Sequence, residues 1–320
     1  MNHYLHTELL DDSVSFLHTE QRNPDTEHIA DVSTLEMVTM INREDQKVAQ
    51  RVYDVLPVIA EAIDYIYPRM KQGGRLVYCA AGTSGRLGVM DAAECPPTYG
   101  VDYDRVTTLM AGGRDCVFKA NELLEDNAPD AEKDLIAFGL TPLDTVVAAA
   151  ASGRTPYGIG ALKYADKIGA GKVCIVCNPG SEMGKFADVA IEVDTGAECV
   201  MGSTRMKAGT AQKFVMNMLS TSLMIKLGRT DGNLLIHSAH NRKHNSKIAN
   251  RQVRVYAEAI GTEDLAYALE SLRKADGCSM CGVMMEKTGI SKEQAREICD
   301  RSRNCFAYAM EEAEKLAGKD

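Results

Sequence analysis

Short apolar runs alternate with longer stretches of helical periodicity through the middle of the chain. Each run is bounded by glycine or polar residues, which is typical of a strand buried on both faces. The runs are "GGRLVYCAAG" (Gly73–Gly82), "RVTTLM" (Arg105–Met110), "DTVVAAAA" (Asp144–Ala151), "KVCIVC" (Lys172–Cys177) and "DVAIEV" (Asp188–Val193). Because helical patterns separate most of them, the order predicts an α/β fold with a doubly wound parallel sheet.

Helical patterns flank the predicted sheet on its N-terminal side. Ser33 and Glu36 form a capping-box pattern, which predicts a helix that runs to about Asn42. A second helical stretch follows, and Pro57 marks either a kink or the start of its helix. Its apolar positions are Val52, Val55, Leu56, Ile59, Ile63 and Ile66.

The C-terminal part of the chain shows helical patterns and no strand signal. The segment Lys207–Leu227 is rich in Met, Leu, Phe and Val, which indicates a buried helix, packed in the protein or against a second subunit. Beyond His237 a basic stretch precedes further helical patterns. We therefore predict N-terminal helices in residues 1–60, a sheet domain in 61–235 and a small helical domain in 236–320.

Charge and cysteine usage narrow the class of protein. A net charge of −9 argues against a general binder of nucleic acid or membrane surfaces. No signal peptide or membrane-spanning run is visible, so we expect a cytoplasmic protein. The ten cysteines are expected to be reduced and structural. Cys278 and Cys281, with Cys299 and Cys305 downstream, form only a weak zinc pattern, and we predict no metal.

Three polar turns follow predicted strands or open a helix. The first is "GTSGRLG" (Gly82–Gly88) and the second is "SGRTP" (Ser152–Pro156). Both combine small residues, hydroxyls and an arginine, a pattern that favours one shared anionic ligand held at helix N-termini. The third, "GSTRMK" (Gly202–Lys207), opens the long apolar helix. Its hydroxyls either cap that helix or contact the same ligand.

Two acidic positions follow the first turn. Glu94 lies in "DAAECPPTYG", where Pro96 and Pro97 are predicted to end the helix. A carboxylate there could act on a ligand held at Ser84. Glu125 belongs to an acidic cluster that, by spacing alone, is more typical of a solvated face. The sequence has no H-E-x-x-H pattern for a catalytic metal.

At this point the motifs resemble a known family. "TEQRN" (Thr19–Asn23), "GTSGRLGVMDAAECPPTYG", "LEDN", "ASGRTPYGIGALKYA" and "GSTRMKAGTAQKFVMNMLSTSLMIKLG" occur in the order seen in N-acetylmuramic acid 6-phosphate etherases. The resemblance runs from about Thr19 to Asn233. It implies a sugar isomerase (SIS) phosphosugar-binding fold, which agrees with the predicted sheet.

The resemblance also implies an activity. The family cleaves the lactyl ether of N-acetylmuramic acid 6-phosphate, in cell-wall amino-sugar recycling, without a metal or redox cofactor. By similarity, Glu94 is expected to be the acid and Glu125 the base, which replaces the solvated-face interpretation of Glu125. The expected substrate-binding residues are Thr83, Ser84, Gly85, Ser152, Thr155, Ser203, Thr204 and Lys207. A homodimer with composite active sites is implied as well.

One region departs from the family pattern, and two alternatives stay open. Residues 234–247 carry a small insertion, and His237 stands where the family often has Asp. Any substrate contact there is in doubt. Its three histidines either alter substrate preference or pH dependence or are surface residues, and the second interpretation is favoured. The alternatives are a phosphosugar-binding regulator similar to glucokinase regulatory protein and a ketose–aldose phosphosugar isomerase. The "ECPPT" segment favours the etherase over the isomerase.

Overall fold

A computed structural model describes residues 16–236, 246–303 and 305–318. Its centre is a sheet of five parallel strands in the order β2-β1-β3-β4-β5. The strands are β1 (Leu76–Ala80), β2 (Val106–Met110), β3 (Thr145–Ala150), β4 (Gly171–Val176) and β5 (Val189–Glu192). The predicted doubly wound sheet is confirmed. Each strand falls within its predicted apolar run, except that β4 begins one residue before its run.

Helices cover both faces of the sheet, as the buried strands require. The helices of the first half are α1 (Thr34–Asp54), α2 (Leu56–Lys71), α3 (Gly82–Tyr99), α4 (Gly113–Phe118), α5 (Ala128–Phe138), α6 (Pro156–Ile168) and α7 (Lys207–Lys226). On one face, Val77, Val146 and Cys174 pack in a buried cluster with residues of α5 and α6. On the other face, the Tyr78 hydroxyl donates to Asp91 of α3 and to the Met216 carbonyl of α7.

The remaining helices form the predicted helical C-terminal region. They are α8 (Ser246–Ile260), α9 (Leu265–Lys274), α10 (Ser279–Thr288), α11 (Lys292–Arg301) and α12 (Phe306–Leu316). A separate apolar cluster that includes Tyr256, Met284 and Phe306 holds them together. Among the described residues, no helix is long and apolar enough to cross a membrane.

Two compact units divide the chain differently from the three predicted segments. The first unit combines the described residues up to Ala92 with Asp104–Leu219, and the second combines Ala93–Tyr103 with the described residues from Ser220 onward. The N-terminal helices therefore share a unit with the sheet. The three-segment division stays a prediction.

Two helix boundaries were predicted wrongly. Helix α1 continues to Asp54, because a buried carboxylate, Glu44, takes a core-facing position in line with Val48 and Val52. Apolar periodicity cannot detect such a position. Helix α3 continues through Pro96 and Pro97 to Tyr99. A proline ring removes an N–H donor and crowds the carbonyl four residues earlier, but its fixed φ is helical, and the helix ends two residues after Pro97. Pro57 lies in the first turn of α2 and marks its start.

Candidate functional site

A cavity of about 360 Å³ opens where β1 and β3 end. Parallel α/β sheets bind ligands beyond the carboxyl ends of their strands, so the position is the expected one. The cavity is lined by six of the residues predicted for the site: Thr83, Ser84, Glu125, Ser152, Thr155 and Thr204. The first and second turns and the opening of the third therefore meet in one cavity.

The first turn forms the start of α3. Backbone bonding in this helix begins with the Gly85 N–H, which donates to the Ala81 carbonyl over 3.0 Å. The N–H groups before it have no acceptor within a helix, so this end attracts anions. Gly85 itself does not line the cavity. A side chain there would come within 2.8 Å of Met110 Cγ, so Gly85 allows α3 to pack on β2.

Ser84 is held by a residue that the sequence did not point to. Its hydroxyl donates to Gln212 Oε1 over 2.7 Å, and both residues are buried. The Gln212 Nε2 atom is buried without a hydrogen-bond partner. Rotating this amide by 180° would make Nε2 donate to Ser84, which would release the serine hydrogen for an acceptor in the cavity.

The second turn is shaped by a left-handed glycine. Gly153 has φ +71°, and a side chain there would come within 2.5 Å of Ser181 Cβ. The turn places Ser152 and Thr155 on the cavity wall, and α6 begins directly after them. The N-termini of α3 and α6 therefore both lie at the cavity.

Glu125 is fixed by the start of α6. Its backbone carbonyl accepts a hydrogen bond of 3.1 Å from the Tyr157 N–H. Nearby, Gly160 lies so close to Ala128 that an added Cβ would come within 2.4 Å of the Ala128 carbonyl oxygen. Only glycine permits this approach of α6 to the first residue of α5. The half-buried Glu125 side chain is thus positioned beside Ser152 and Thr155.

The third turn contributes Thr204 to the cavity, whereas Ser203 is not among the lining residues. Neither hydroxyl caps α7. The buried carboxylate of Glu198 does so, because it accepts from the Lys207 and Ala208 N–H groups at 2.8 and 2.9 Å. Burial raises the pKa of Glu198, against the effect of these two N–H donors.

Lys207 faces the protein interior. Its side chain is 4% exposed, and its ammonium donates to Glu44 Oε2 and to the Ala197 carbonyl, each over 2.8 Å. Burial opposes ionisation of Glu44, but hydrogen bonds from Lys207, Lys47 and Asn23 outweigh it and lower its pKa to about 2. We therefore assign Lys207 a structural role in the proposal below, in place of the predicted substrate contact.

A second acidic residue, which the sequence patterns did not indicate, reaches the cavity with Glu125. Glu20 lines it together with Arg86 and Asn121. Arg86 is engaged by the carbonyls of Cys116 and Val117 at 2.7 and 2.9 Å, so it supports the end of α4. In the sequence, Glu20 lies in "TEQRN". This motif contributes to the family resemblance but indicates no role for Glu20.

Curated relatives match nearly the whole chain. The N-acetylmuramic acid 6-phosphate etherase of Clostridium beijerinckii is 47% identical over 296 residues, which are 92% of this chain and 96% of that protein. The protein of the same name from Clostridioides difficile is 44% identical over 298 residues, 93% of this chain and 97% of that protein. The chain belongs to the N-acetylmuramic acid 6-phosphate etherase family.

Two further likenesses concern the sheet region of this etherase family member. A family model described as the glucokinase regulatory protein N-terminal SIS domain matches residues 58–166, which confirms a SIS-type domain. The solved structure of a phosphoheptose isomerase from Francisella tularensis is 13% identical, with a TM-score of 0.48, and covers 61% of this chain and 100% of that one. A likeness at that TM-score supports no functional argument.

Glu94 is not among the residues that line this cavity of the etherase. It occupies an exposed position on α3, after the point at which that helix passes into the second unit. The residues that line the cavity all belong to the first unit. The catalytic assignment of Glu94 therefore rests on the "ECPPT" motif and stays a prediction. Likewise, the His237 and His244 region, residues 237–245, lies outside the described residues.

Three cysteines of the etherase meet in the helical unit. The sulfur atoms of Cys278, Cys281 and Cys299 lie within 4.8 Å of one another and are buried. A hydrogen bond from Cys281 lowers the pKa of the Cys278 thiol, but hydrogen bonding with Cys299 and burial outweigh it and raise that pKa to about 12. Hydrogen bonding with the other two thiols and burial also raise the pKa of Cys281. Protonated thiols pack as small apolar groups.

The absence of a bound metal stays a prediction that cobalt can test. We expect the reduced protein, titrated with Co²⁺, to develop no thiolate-to-metal charge-transfer absorption, because deprotonating buried thiols is costly. Cys299→Ser is the matched variant and should give the same spectrum. An absorption band in the parent protein that disappears in Cys299→Ser would show instead that the three thiols bind metal.

Proposed function

We propose that this protein cleaves the D-lactyl ether of N-acetylmuramic acid 6-phosphate to give N-acetylglucosamine 6-phosphate and D-lactate. The observation that carries the proposal is the match to curated etherases across more than nine-tenths of both chains. The cavity supports it, because hydroxyl groups and helix N-termini suit a phosphate and Glu125 supplies a proton acceptor beside them.

In the proposed reaction, Glu125 acts as the general base. It removes the C2 proton of the open-chain sugar, which the C1 aldehyde makes acidic. The electron pair forms the C2–C3 double bond, and the C3–O bond breaks. The departing lactate oxygen takes a proton from an acid, the role proposed for Glu94. Water then adds its oxygen to C3 while a proton returns to C2.

Phosphate recognition is assigned to the three turns. Thr83, Ser84, Ser152, Thr155 and Thr204 offer hydroxyl donors. The start of α3 offers N–H groups, and the starts of α3 and α6 both offer the positive ends of helix dipoles. Gln212 would orient the Ser84 hydroxyl toward the ligand through the amide rotation described above. The other predicted contacts do not line the cavity. We assign Gly85 and Lys207 a role in shaping the turns, and Ser203 lies next to Thr204 in the third turn.

Replacement of Ser84 by alanine should weaken phosphosugar binding. A lost hydrogen bond to a charged group is worth about 1.5–3 kcal/mol, which corresponds to roughly a 10- to 150-fold rise in Kd. Isothermal titration with N-acetylglucosamine 6-phosphate measures the change. Ser33→Ala, at the exposed N-cap of α1, is the control and should leave Kd unchanged. An unaltered Kd in Ser84→Ala would remove Ser84 from the phosphate site.

The activity is tested by incubating the protein with N-acetylmuramic acid 6-phosphate in H₂¹⁸O and measuring D-lactate. Elimination and hydration require the solvent oxygen to appear at C3 of the sugar and leave the lactate unlabelled. Label in lactate would contradict cleavage of the C3–O bond. Tight phosphosugar binding without lactate release would favour the regulator, and interconversion of ketose and aldose phosphates would favour the isomerase.

A homodimer is part of the proposal. The first unit exposes apolar side chains that a second copy could cover, including Leu35 and Val38 on α1, Phe118, Leu123 and Met201. Light scattering coupled to size exclusion should give twice the chain mass, and a monomer would contradict the proposal. We also place the enzyme in the cytoplasm and in peptidoglycan recycling. A charged phosphosugar does not cross a membrane unaided, so the enzyme is expected in the compartment that holds its substrate. Cell fractionation tests that placement.

A further inference from the structure

The segment before α1 is tied firmly to the carboxyl ends of the strands. Thr19 is fully buried, its N–H donates to Asn178 Oδ1 over 3.3 Å, and its hydroxyl accepts from Asn178 Nδ2 over 3.0 Å. The same Asn178 amide donates to the carbonyl of Ala151 over 3.0 Å. Ala151 directly precedes Ser152 of the second turn. Thr19 therefore holds its neighbour, Glu20, next to that turn.

Hydrogen bonding also orients the Glu20 carboxylate. The Thr19 hydroxyl, which accepts from Asn178, donates to Glu20 Oε1 over 3.3 Å. Glu20 Oε1 is thus oriented by two consecutive hydrogen bonds, from the Asn178 amide to the Thr19 hydroxyl and from that hydroxyl to the carboxylate. A carboxylate accepts several hydrogen bonds, so this contact leaves acceptor capacity on both oxygens.

Glu20 lies where two cavities meet. It lines the 360 Å³ cavity and also a neighbouring one of about 240 Å³. Glu125, Ser152 and Thr155 line both cavities as well. The first-turn residues Thr83 and Ser84 line only the larger one. Glu20 therefore belongs to the part of the site that contains Glu125, and a ligand anchored by phosphate at α3 would extend toward it.

We propose that Glu20 is a substrate-binding residue that accepts hydrogen bonds from hydroxyl groups of the sugar chain. The proposal rests on the phosphosugar function above. A carboxylate beside an anion site repels phosphate, so its presence is unfavourable unless the ligand offers donors to it. A sugar phosphate does so, because its hydroxyls lie away from its charged end.

Glu20 would then set the specificity of the cavity. It favours ligands that carry hydroxyl donors several bonds from the phosphate. Inorganic phosphate, which reaches only the turns, should be insensitive to Glu20 or should bind better without it. The two ligands therefore separate a sugar contact from a general effect on the fold.

The test compares Glu20→Gln with the parent protein by isothermal titration. The Kd for N-acetylglucosamine 6-phosphate should rise about 10- to 150-fold, as for other charged hydrogen bonds. The Kd for inorganic phosphate should stay the same or fall. Glu36→Gln, at an exposed position in the first turn of α1, is the matched control and should change neither value.

Each outcome decides the proposal. An unchanged Kd for the sugar phosphate in Glu20→Gln overturns it, and so does an equal loss of affinity for both ligands. The readout is binding, so a protein that binds the sugar phosphate and releases no lactate would refute the etherase activity while leaving the Glu20 contact testable. Failure of the parent protein to bind the sugar phosphate would overturn both.

Discussion

Replacement of Glu125 by glutamine is expected to reduce turnover by about 100- to 10,000-fold, the usual contribution of a general base. Glutamine keeps the shape of the side chain but cannot take the C2 proton. The Tyr157 N–H donates to the backbone carbonyl of Glu125, so the substitution keeps this hydrogen bond and the fold should be unaffected. Steady-state release of D-lactate measures the loss.

Binding and a control variant distinguish this role from a structural one. The Kd of Glu125→Gln for N-acetylglucosamine 6-phosphate should stay close to the parent value, because the phosphate contacts remain. Glu132→Gln, on the exposed face of α5, removes only a surface ion pair with Lys167 and should keep full turnover. Normal lactate release by Glu125→Gln would show that another group abstracts the proton.

The second large effect concerns the buried pair of Glu44 and Lys207. Glu44→Gln should lower the free energy of unfolding by about 3–5 kcal/mol, because it removes the countercharge that is hydrogen-bonded to the buried Lys207 ammonium. The two side chains are 3% and 4% exposed, so water cannot replace the lost partner. Urea denaturation measures the change, with Glu36→Gln as the exposed control on the same helix. That control should shift stability by no more than about 1 kcal/mol, because it removes only an exposed charge at the positive end of the helix dipole.

The same pair predicts a pH dependence of stability. The pKa of Glu44 falls from its ordinary value of 4.5 to about 2 in the folded protein. Its contribution is therefore complete above pH 4.5 and is lost as the pH falls toward 2, because the unfolded chain takes up the proton first. Glu44→Gln should lose less stability than the parent protein across that interval. Parallel curves for the two proteins would show that folding leaves the pKa of Glu44 unchanged.

The sheet and much of the cavity could be predicted because their signals are local. Each strand is a continuous apolar run. Glycine and hydroxyl residues at the end of such a run indicate the turns of Ser84 and Ser152. The family resemblance then added Glu125, whose acidic surroundings alone had suggested a solvated surface. Local patterns and motif order together were enough for these residues.

The rest depends on contacts between distant parts of the chain. Gln212 lies in an apolar helix 128 positions from Ser84, and only folding brings the two together. Lys207 seemed suited to bind phosphate, yet a carboxylate 163 positions earlier in the chain, Glu44, neutralises it in the interior. The place of Glu20 in the cavity could not be predicted, because it depends on the contact of Thr19 with Asn178. Polar pairs of this kind carry no periodicity that a sequence pattern can report.

The bonds of Thr19 to Asn178 have a practical consequence for any shortened version of this protein. A chain that started at Thr34 would retain every strand and α-helix that the structure describes, so its circular dichroism should resemble that of the parent protein. It would nevertheless lack a wall of the ligand cavity and would expose the amide of Asn178 to solvent. Trimming the apparently irregular beginning should therefore impair recognition of the sugar before it impairs folding.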